Sequence, residues 1–193
     1  MWKADKLGYK GNTNYNKAYE GDELVWEKGP VVPAGNQIWY TTTDGNIISG
    51  GVGVVSNVYI DGKGIITYNT IITKTKLRQF AHKTTLSTMT FPDTFTRLGE
   101  STFTDCYSLE YVYFSEGLIS IGVDAFVNSR LRMIDLPHSL EIIYDRGFRG
   151  CEYLRNITYN GTIKEWENVS KGTNWHLYVP ATVVHCSDGD VAI

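Results

Sequence analysis

LEYVYFSEGLISIGVDAFVNSRLRMIDLPHSLEIIYDRGFRGCEYLRNITY, residues 109–159, repeats its own pattern every 22 to 23 residues. Aligned on phenylalanine, the pattern reaches back one turn further: Phe80, Phe103, Phe126 and Phe148 stand 23, 23 and 22 residues apart. Leucines keep the same beat at Leu86, Leu109, Leu131 and Leu154, and each of the first three lies seventeen residues ahead of a phenylalanine. Leu98, Ile121 and Ile143 each precede their phenylalanine by five. A period of about 20 to 29 residues marks a solenoid, because one turn of that length cannot bury its apolar face alone and must stack on its neighbours.

Within each turn the segments LSTMTF, LEYVYF, LRMIDL and LRNITY alternate as strands do. Met89 and Phe91, Val112 and Phe114, Ile134 and Leu136, and Ile157 and Tyr159 are expected to point inward from a parallel sheet. Pro92 and Pro137 follow directly after such strands, where a missing amide donor does least harm. The opposite face then carries Thr88, Thr90, Tyr111, Tyr113, Met133, Asp135, Asn156 and Thr158, with Glu110, Arg132 and Arg155 beside them. Stacking sets Tyr111 beside Met133 and Tyr113 beside Asp135. From this face we take Tyr111, Tyr113, Arg132, Met133, Asp135 and Arg155 as the candidate partner-binding set, since exposed aromatic and arginine groups are common interface anchors. Tyrosine is also a good strand former on a solvated face, so its presence has a purely structural reading too. Open ladder ends should be covered by other elements, because free strand edges invite aggregation.

FPDTFTRLGESTFTDCYSL and LPHSLEIIYDRGFRGCEYL resemble the BspA-like leucine-rich repeats. Leu98-Gly99, Ile121-Gly122, Ala125-Phe126, Cys106 and Cys151 carry the likeness most clearly. IWYTTTDGNII and VVSNVYIDGKGIITY look like the lead-in that precedes such repeats, and YNGTIKEWENVSKGTNWHLYVPATVVHCSDGDV looks like their closing segment. The sequence departs from the pattern at Lys83 and Ser129, where cysteine is usual, and at Ile143-Tyr144, where glycine is lost. The resemblance implies a mainly β fold of about four turns of parallel strands, with a small β lead-in and a C-terminal helix and strand cap; an N-terminal β-meander is expected from the residues that precede it. It implies a recognition or adhesion module and not an enzyme, and it names no ligand.

The tail has a physical logic of its own. In GTIKEWENV, Ile163, Trp166 and Val169 fall on one face of a short helix. Thr162 is its expected N-cap, with Glu165 completing a capping box. Trp175, Val179 and Thr182-Val183-Val184 are expected to close the last turn. Near the N-terminus, Tyr9-Lys10-Gly11 recurs as Tyr19-Glu20-Gly21, and each copy reads as strand, glycine turn and strand. This stretch resembles hairpin modules that open structural proteins of phages infecting gut Bacteroides-like bacteria. A two-stranded ribbon is marginal alone in water, so it is expected to dock on another chain through Tyr9, Tyr15, Tyr19, Leu24 and Trp26. GPVVPAG reads as a linker. The expected division is an anchor at 1–30, a linker at 31–35, a lead-in at 36–75, repeats at 76–160 and a cap at 161–193.

Composition bounds the remaining possibilities. A chain of 193 residues with 42% hydrophobic content can bury one elongated core plus a small module. Its net charge of −3 is scattered without a run of like charges, which disfavours nucleic acid as partner. No stretch reaches the roughly 18 apolar residues of a membrane span, and MWKADKLGYKG turns polar too early for a signal-peptide core, so export by the usual secretory route is not expected. Three cysteines argue against a disulfide framework, and Cys106 and Cys151, two turns apart, would sit roughly 10 Å from each other at sheet spacing. They read as buried small hydrophobes. His82, His138, His176 and His185 lie in separate segments, and no catalytic or phosphate-binding motif occurs. His185-Cys186 with Asp188 and Asp190 reads as a turn around Gly189 and not as a metal site. Neither cofactor nor catalysis is expected.

An anchor followed by a recognition solenoid leads to the expectation of a bacteriophage virion component, bound through its N-terminal module to other virion proteins. Its solenoid would contact another structural protein, a host surface protein or a glycan, and homo-oligomers such as trimers are usual for such parts. The alternative is a bacterial cell-surface or secreted adhesin of the BspA-like type.

Overall fold

A computed structural model of the chain describes residues 16–20, 23–28 and 32–193. Two compact units are present, 1–32 and 33–193. In the first, β1 (Asn16–Glu20) and β2 (Glu23–Lys28) pair antiparallel, with Tyr19 and Glu20 of the second Tyr-Glu-Gly copy at the end of β1. The first copy lies outside the described residues.

The second unit opens with β3 (Gln37–Thr42), β4 (Val54–Ile60) and β5 (Lys63–Tyr68), which form an antiparallel sheet in the order β4, β5, β3. Each turn of the solenoid then supplies one front strand and one two-residue back strand. The chain runs through β6 (Leu86–Thr90), β7 (Arg97–Leu98), β8 (Tyr111–Tyr113), β9 (Ser120–Ile121), β10 (Met133–Leu136), β11 (Ile142–Ile143) and β12 (Asn156–Tyr159). The cap adds α1 (Ile163–Asn168), β13 (Ser170–Lys171), β14 (Val183–Cys186) and β15 (Gly189–Ala192). The fold is mainly β, as the period and alternation imply.

On the back, β7, β9, β11 and β13 pair in parallel, with Leu98 beside Ile121 and Ile121 beside Ile143. On the front, β6 pairs with β8, and β10 with β12 and then β14, all parallel. Two features of the front go beyond the sequence reading. The lead-in strand β3 joins the first turn directly, antiparallel to β6, so lead-in and repeats share one five-stranded sheet. The front ladder also divides between β8 and β10 into that sheet and a four-stranded one closed by antiparallel β15.

Between the two ladders runs the core. Phe80, Phe103, Phe126 and Phe148 are fully buried and line up in a column, with ring centroids 5.8, 5.3 and 5.1 Å apart and near-parallel planes. Trp175 meets the end of the column edge-on at 6.2 Å, and Trp166 packs on Trp175 in turn. All eight side chains expected to face inward from the front strands are buried. Sharp corners flank each phenylalanine: Ser101 and Asp105, Asp124 and Asn128, and Arg146 and Gly150 all have positive φ, between 52° and 73°. Asp and Asn tolerate this conformation because their short side chains bond locally. Here they also bond between turns, with Asn128 Nδ2 donating to Asp105 Oδ1 at 2.9 Å and Arg146 gripping Asp124 through two bonds of 2.7 and 2.9 Å.

The helix forms where the capping pattern places it. Thr162 Oγ1 accepts from the Glu165 amide, and the Thr162 amide donates to Glu165 Oε2 at 2.7 Å, so two of the amides left over at the helix start are satisfied. Trp166 and the C-cap Val169 are buried on the core side.

Candidate functional site

Turn-to-turn spacing keeps the outward side chains in two rows across the front. One row has Thr41 beside Thr88 and Thr88 beside Tyr111, and continues past the break with Met133 beside Asn156. The other has Trp39 beside Thr90, Thr90 beside Tyr113, Asp135 beside Thr158 and Thr158 beside His185. Tyr111, Tyr113, Met133 and Asp135 therefore lie on the same side, and Arg132 and Arg155 stand immediately before β10 and β12 on the next two turns. Tyr111, Tyr113, Met133 and Asp135 are half-buried, whereas Arg132 and Arg155 are exposed.

Several of these groups are held in place across turns. The Tyr111 hydroxyl donates to Asp135 Oδ2 at 3.0 Å, so the ring leans diagonally toward Asp135 in addition to lying in the Met133 row. Arg132 Nε donates to Glu110 Oε1 at 3.0 Å, with both side chains about half exposed; such a pair orients the guanidinium more than it stabilises the fold. Thr41 and Thr88 share a hydroxyl bond of 2.8 Å. The front thus presents aromatic, cationic and carboxylate groups oriented by bonds between turns, which suits binding.

Trp39 joins this surface although it lies in the lead-in, outside the repeats. The signal was there: Ile38 and Tyr40 are buried on either side of it, and that alternation turns Trp39 to the ladder face. Lys63 Nζ lies 4.1 Å from the Trp39 ring, a cation over its face. Ile65 and Val58 extend the same row onto β5 and β4. Of the candidate anchor residues, Tyr9 and Tyr15 lie outside the described residues, and the side chains of Tyr19, Leu24 and Trp26 are likewise outside what the structure describes.

Cysteine's place in the repeat has a geometric basis. Cys106 Sγ donates to the Phe80 carbonyl and Cys151 Sγ to the Phe126 carbonyl, each at 3.1 Å, so the thiol ties a turn to its predecessor. All three cysteines are free. Burial pushes the Cys106 and Cys151 thiols up to about 12, far from the range in which a nucleophilic thiolate forms. Under native conditions at pH 8, iodoacetamide is expected to modify half-buried Cys186 alone, and mass spectrometry of the labelled protein checks this. Unfolding frees both buried thiols to ionise near their ordinary pH of 9, so stability should fall as pH rises above 9.

A cleft of about 370 Å³ at the cap, away from the ladder, is lined by Trp166, Glu167, Lys171, Trp175, His176 and β15. Its ammonium group is already engaged: Lys171 Nζ donates to the Trp166 and Val169 carbonyls at 2.6 and 2.7 Å and covers the Trp166 ring, closing the C-terminal end of α1. Burial lowers the affinity of both Lys171 and His176 for a proton. His185 and Asp190 face each other across the β14–β15 hairpin at 2.8 Å; the turn itself is Ser187-Asp188, and Gly189 opens β15.

A family model of the BspA-type leucine-rich-repeat region, in six copies, matches residues 70–170, over half of the chain. The chain belongs to the BspA-type leucine-rich-repeat family. Among solved structures it is similar to a leucine-rich cell-surface protein from Faecalibacterium prausnitzii A2-165, at 22% identity and a TM-score of 0.41, over 52% of this chain and 33% of that one. The chain therefore spans about a third of that protein's length. No curated protein matches.

Proposed function

We propose that this BspA-type repeat chain is a non-enzymatic recognition module of a bacterial cell-surface or secreted protein, and that it binds a protein partner through the front ladder. The observation that carries this reading is the fixed array on three successive turns: Tyr111 bonded to Asp135, Arg132 oriented by Glu110, and Tyr113, Met133 and Arg155 between and beside them. Exposed arginine beside half-buried tyrosine, methionine and carboxylate is the chemistry of a protein-binding face. Membership in the repeat family supports binding in preference to catalysis. The virion reading rests on residues 1–30, most of whose placement lies outside the described residues, and it draws no support from the family match.

Beads coated with the full chain, presented to intact epithelial cells, test this. Adhesion is expected to drop at least tenfold for the Tyr111→Ala and Tyr113→Ala double variant, and also after mild proteolysis of the cell surface. Both rings are half-buried and Tyr111 bonds to Asp135, so the thermal transition should fall by a few degrees with the circular dichroism spectrum unchanged. Unchanged adhesion by this folded variant would remove the ladder from the binding role.

A further inference from the structure

The two outer edges of the front differ in chemistry. At the C-terminal end, β15 carries Asp190 and follows Asp188, both exposed, and charge of this kind keeps an edge strand from pairing with another chain. At the other end, β4 is the terminal strand of the five-stranded sheet, and its sequence VVSNVYI holds neither charge nor proline. Val55, Val58 and Ile60 are 64%, 41% and 58% exposed along it, and Val52 just before it is 79% exposed. Among the described residues no strand lies on its outer side. A register irregularity between Val54 and Ser56 interrupts only its start, leaving Ser56–Ile60 in regular pairing with β5. The nearest cation, Lys63, is opposite Ile60 but is drawn over the Trp39 ring. The alternation of β4 is also well supported from within: Asn57 bonds inward to the Ile48 carbonyl and the Tyr40 hydroxyl, so Val58 and Ile60 are committed to the outer face beside Ile65.

We propose that β4 is a homodimerisation edge, pairing antiparallel with β4 of a second copy about a two-fold axis at Val58. That register sets Val58 against its own counterpart and the small Ser56 against the large Ile60, and it brings no like charges opposite each other. An uncharged strand offers nothing to select a foreign charged partner, whereas its own copy matches it in main-chain spacing and in the alternation of small and large side chains. The two front faces then continue into one sheet across the axis, so the dimer presents two ladders side by side. Two linked ladders raise the avidity for a repetitive surface without any new contact.

Sedimentation velocity of the full chain over a concentration series tests the edge. The wild-type chain is expected to shift from the mass of one chain to twice that mass as concentration rises. Val58→Lys should stay at the mass of one chain, and Ile71→Lys, which adds the same charge at another exposed aliphatic residue, should behave as wild type. Hydrogen exchange provides a measurement that needs no substitution: amides of 55–60 should gain protection at concentrations where the dimer forms. A wild-type chain of single mass throughout, a Val58→Lys dimer, an Ile71→Lys monomer, or exchange in 55–60 independent of concentration would each overturn the proposal.

Discussion

Phe126→Ala is expected to cost about 3–5 kcal/mol of folding stability, the range found when a large buried aromatic is cut to a methyl group. Phe126 is fully buried at the middle of the column, with Phe103 at 5.3 Å on one side and Phe148 at 5.1 Å on the other. The size of the effect depends on whether the neighbours can close the hole, and here they are tethered. The Phe103 amide donates to the Ala125 carbonyl at 2.7 Å and the Phe126 amide to the Gly147 carbonyl at 2.9 Å, which fixes the spacing of the turns. Domains of this kind have only about 5–15 kcal/mol in all, so the variant should lose about a fifth of its stability or more. In a stack where each turn touches only its neighbours, a break in the middle uncouples both halves. Urea unfolding followed by tryptophan fluorescence measures it, since Trp175 and Trp166 report on the end of the same column. Phe126→Leu should cost clearly less, and a loss below about 1 kcal/mol for the alanine variant would show that the column does not hold the turns together.

The second large effect is expected at Gly122, for the opposite reason. A Cβ built on Gly122 would lie 2.7 Å from the Gly99 carbonyl carbon and 2.8 Å from the Glu100 nitrogen and the Leu98 oxygen. These are backbone atoms of the preceding turn, held by the Gly122 amide bonded to the Leu98 carbonyl at 2.9 Å, and they cannot rotate away. Gly122→Ala must therefore separate two turns at the back ladder, at a cost of about 1–3 kcal/mol or more by the measure of overpacked cores. Gly99 repeats the situation one turn earlier, 2.7 Å from the Thr75 carbonyl oxygen. In the next turn the equivalent position is Tyr144, which is 45% exposed, so the requirement for glycine belongs to particular turns. A lowered melting temperature for Gly122→Ala with an unchanged circular dichroism spectrum checks the local nature of the strain. A melting temperature equal to wild type would mean that the turns can part without loss.

Several parts of the molecule were readable from residues alone because they depend on local or strictly periodic rules. The column follows from a spacing of 22 to 23 residues, and the inward face from strand alternation. The capping box at Thr162 and Glu165 needs only four consecutive residues and appears as expected. Other parts were not readable, and each depended on which strand lies next to which. The alternation of Ile38 and Tyr40 turns Trp39 to the other face of β3, but that this face joins the ladder follows from β3 pairing with β6, a contact between segments about fifty residues apart. The division of the front between β8 and β10 was hidden as well, since the two strands have the same alternation as their neighbours. The expectation that other elements would cover the ladder ends is met at both, by β3 beside β6 and by β15 beside β14, and each cover leaves an edge of its own, charged at β15 and uncharged at β4.

By itself, then, the sequence determined that this chain is a stacked β solenoid of the BspA type with a phenylalanine interior, because a repeated apolar pattern of that length has one way to leave water. Only the tertiary structure decided how the surface is composed. Outward side chains are not selected by burial, so their grouping into rows, the bond from Tyr111 to Asp135, and the exposure of an uncharged β4 arise from pairing between distant strands, where hydrogen-bond register and not hydrophobic pattern sets the neighbours.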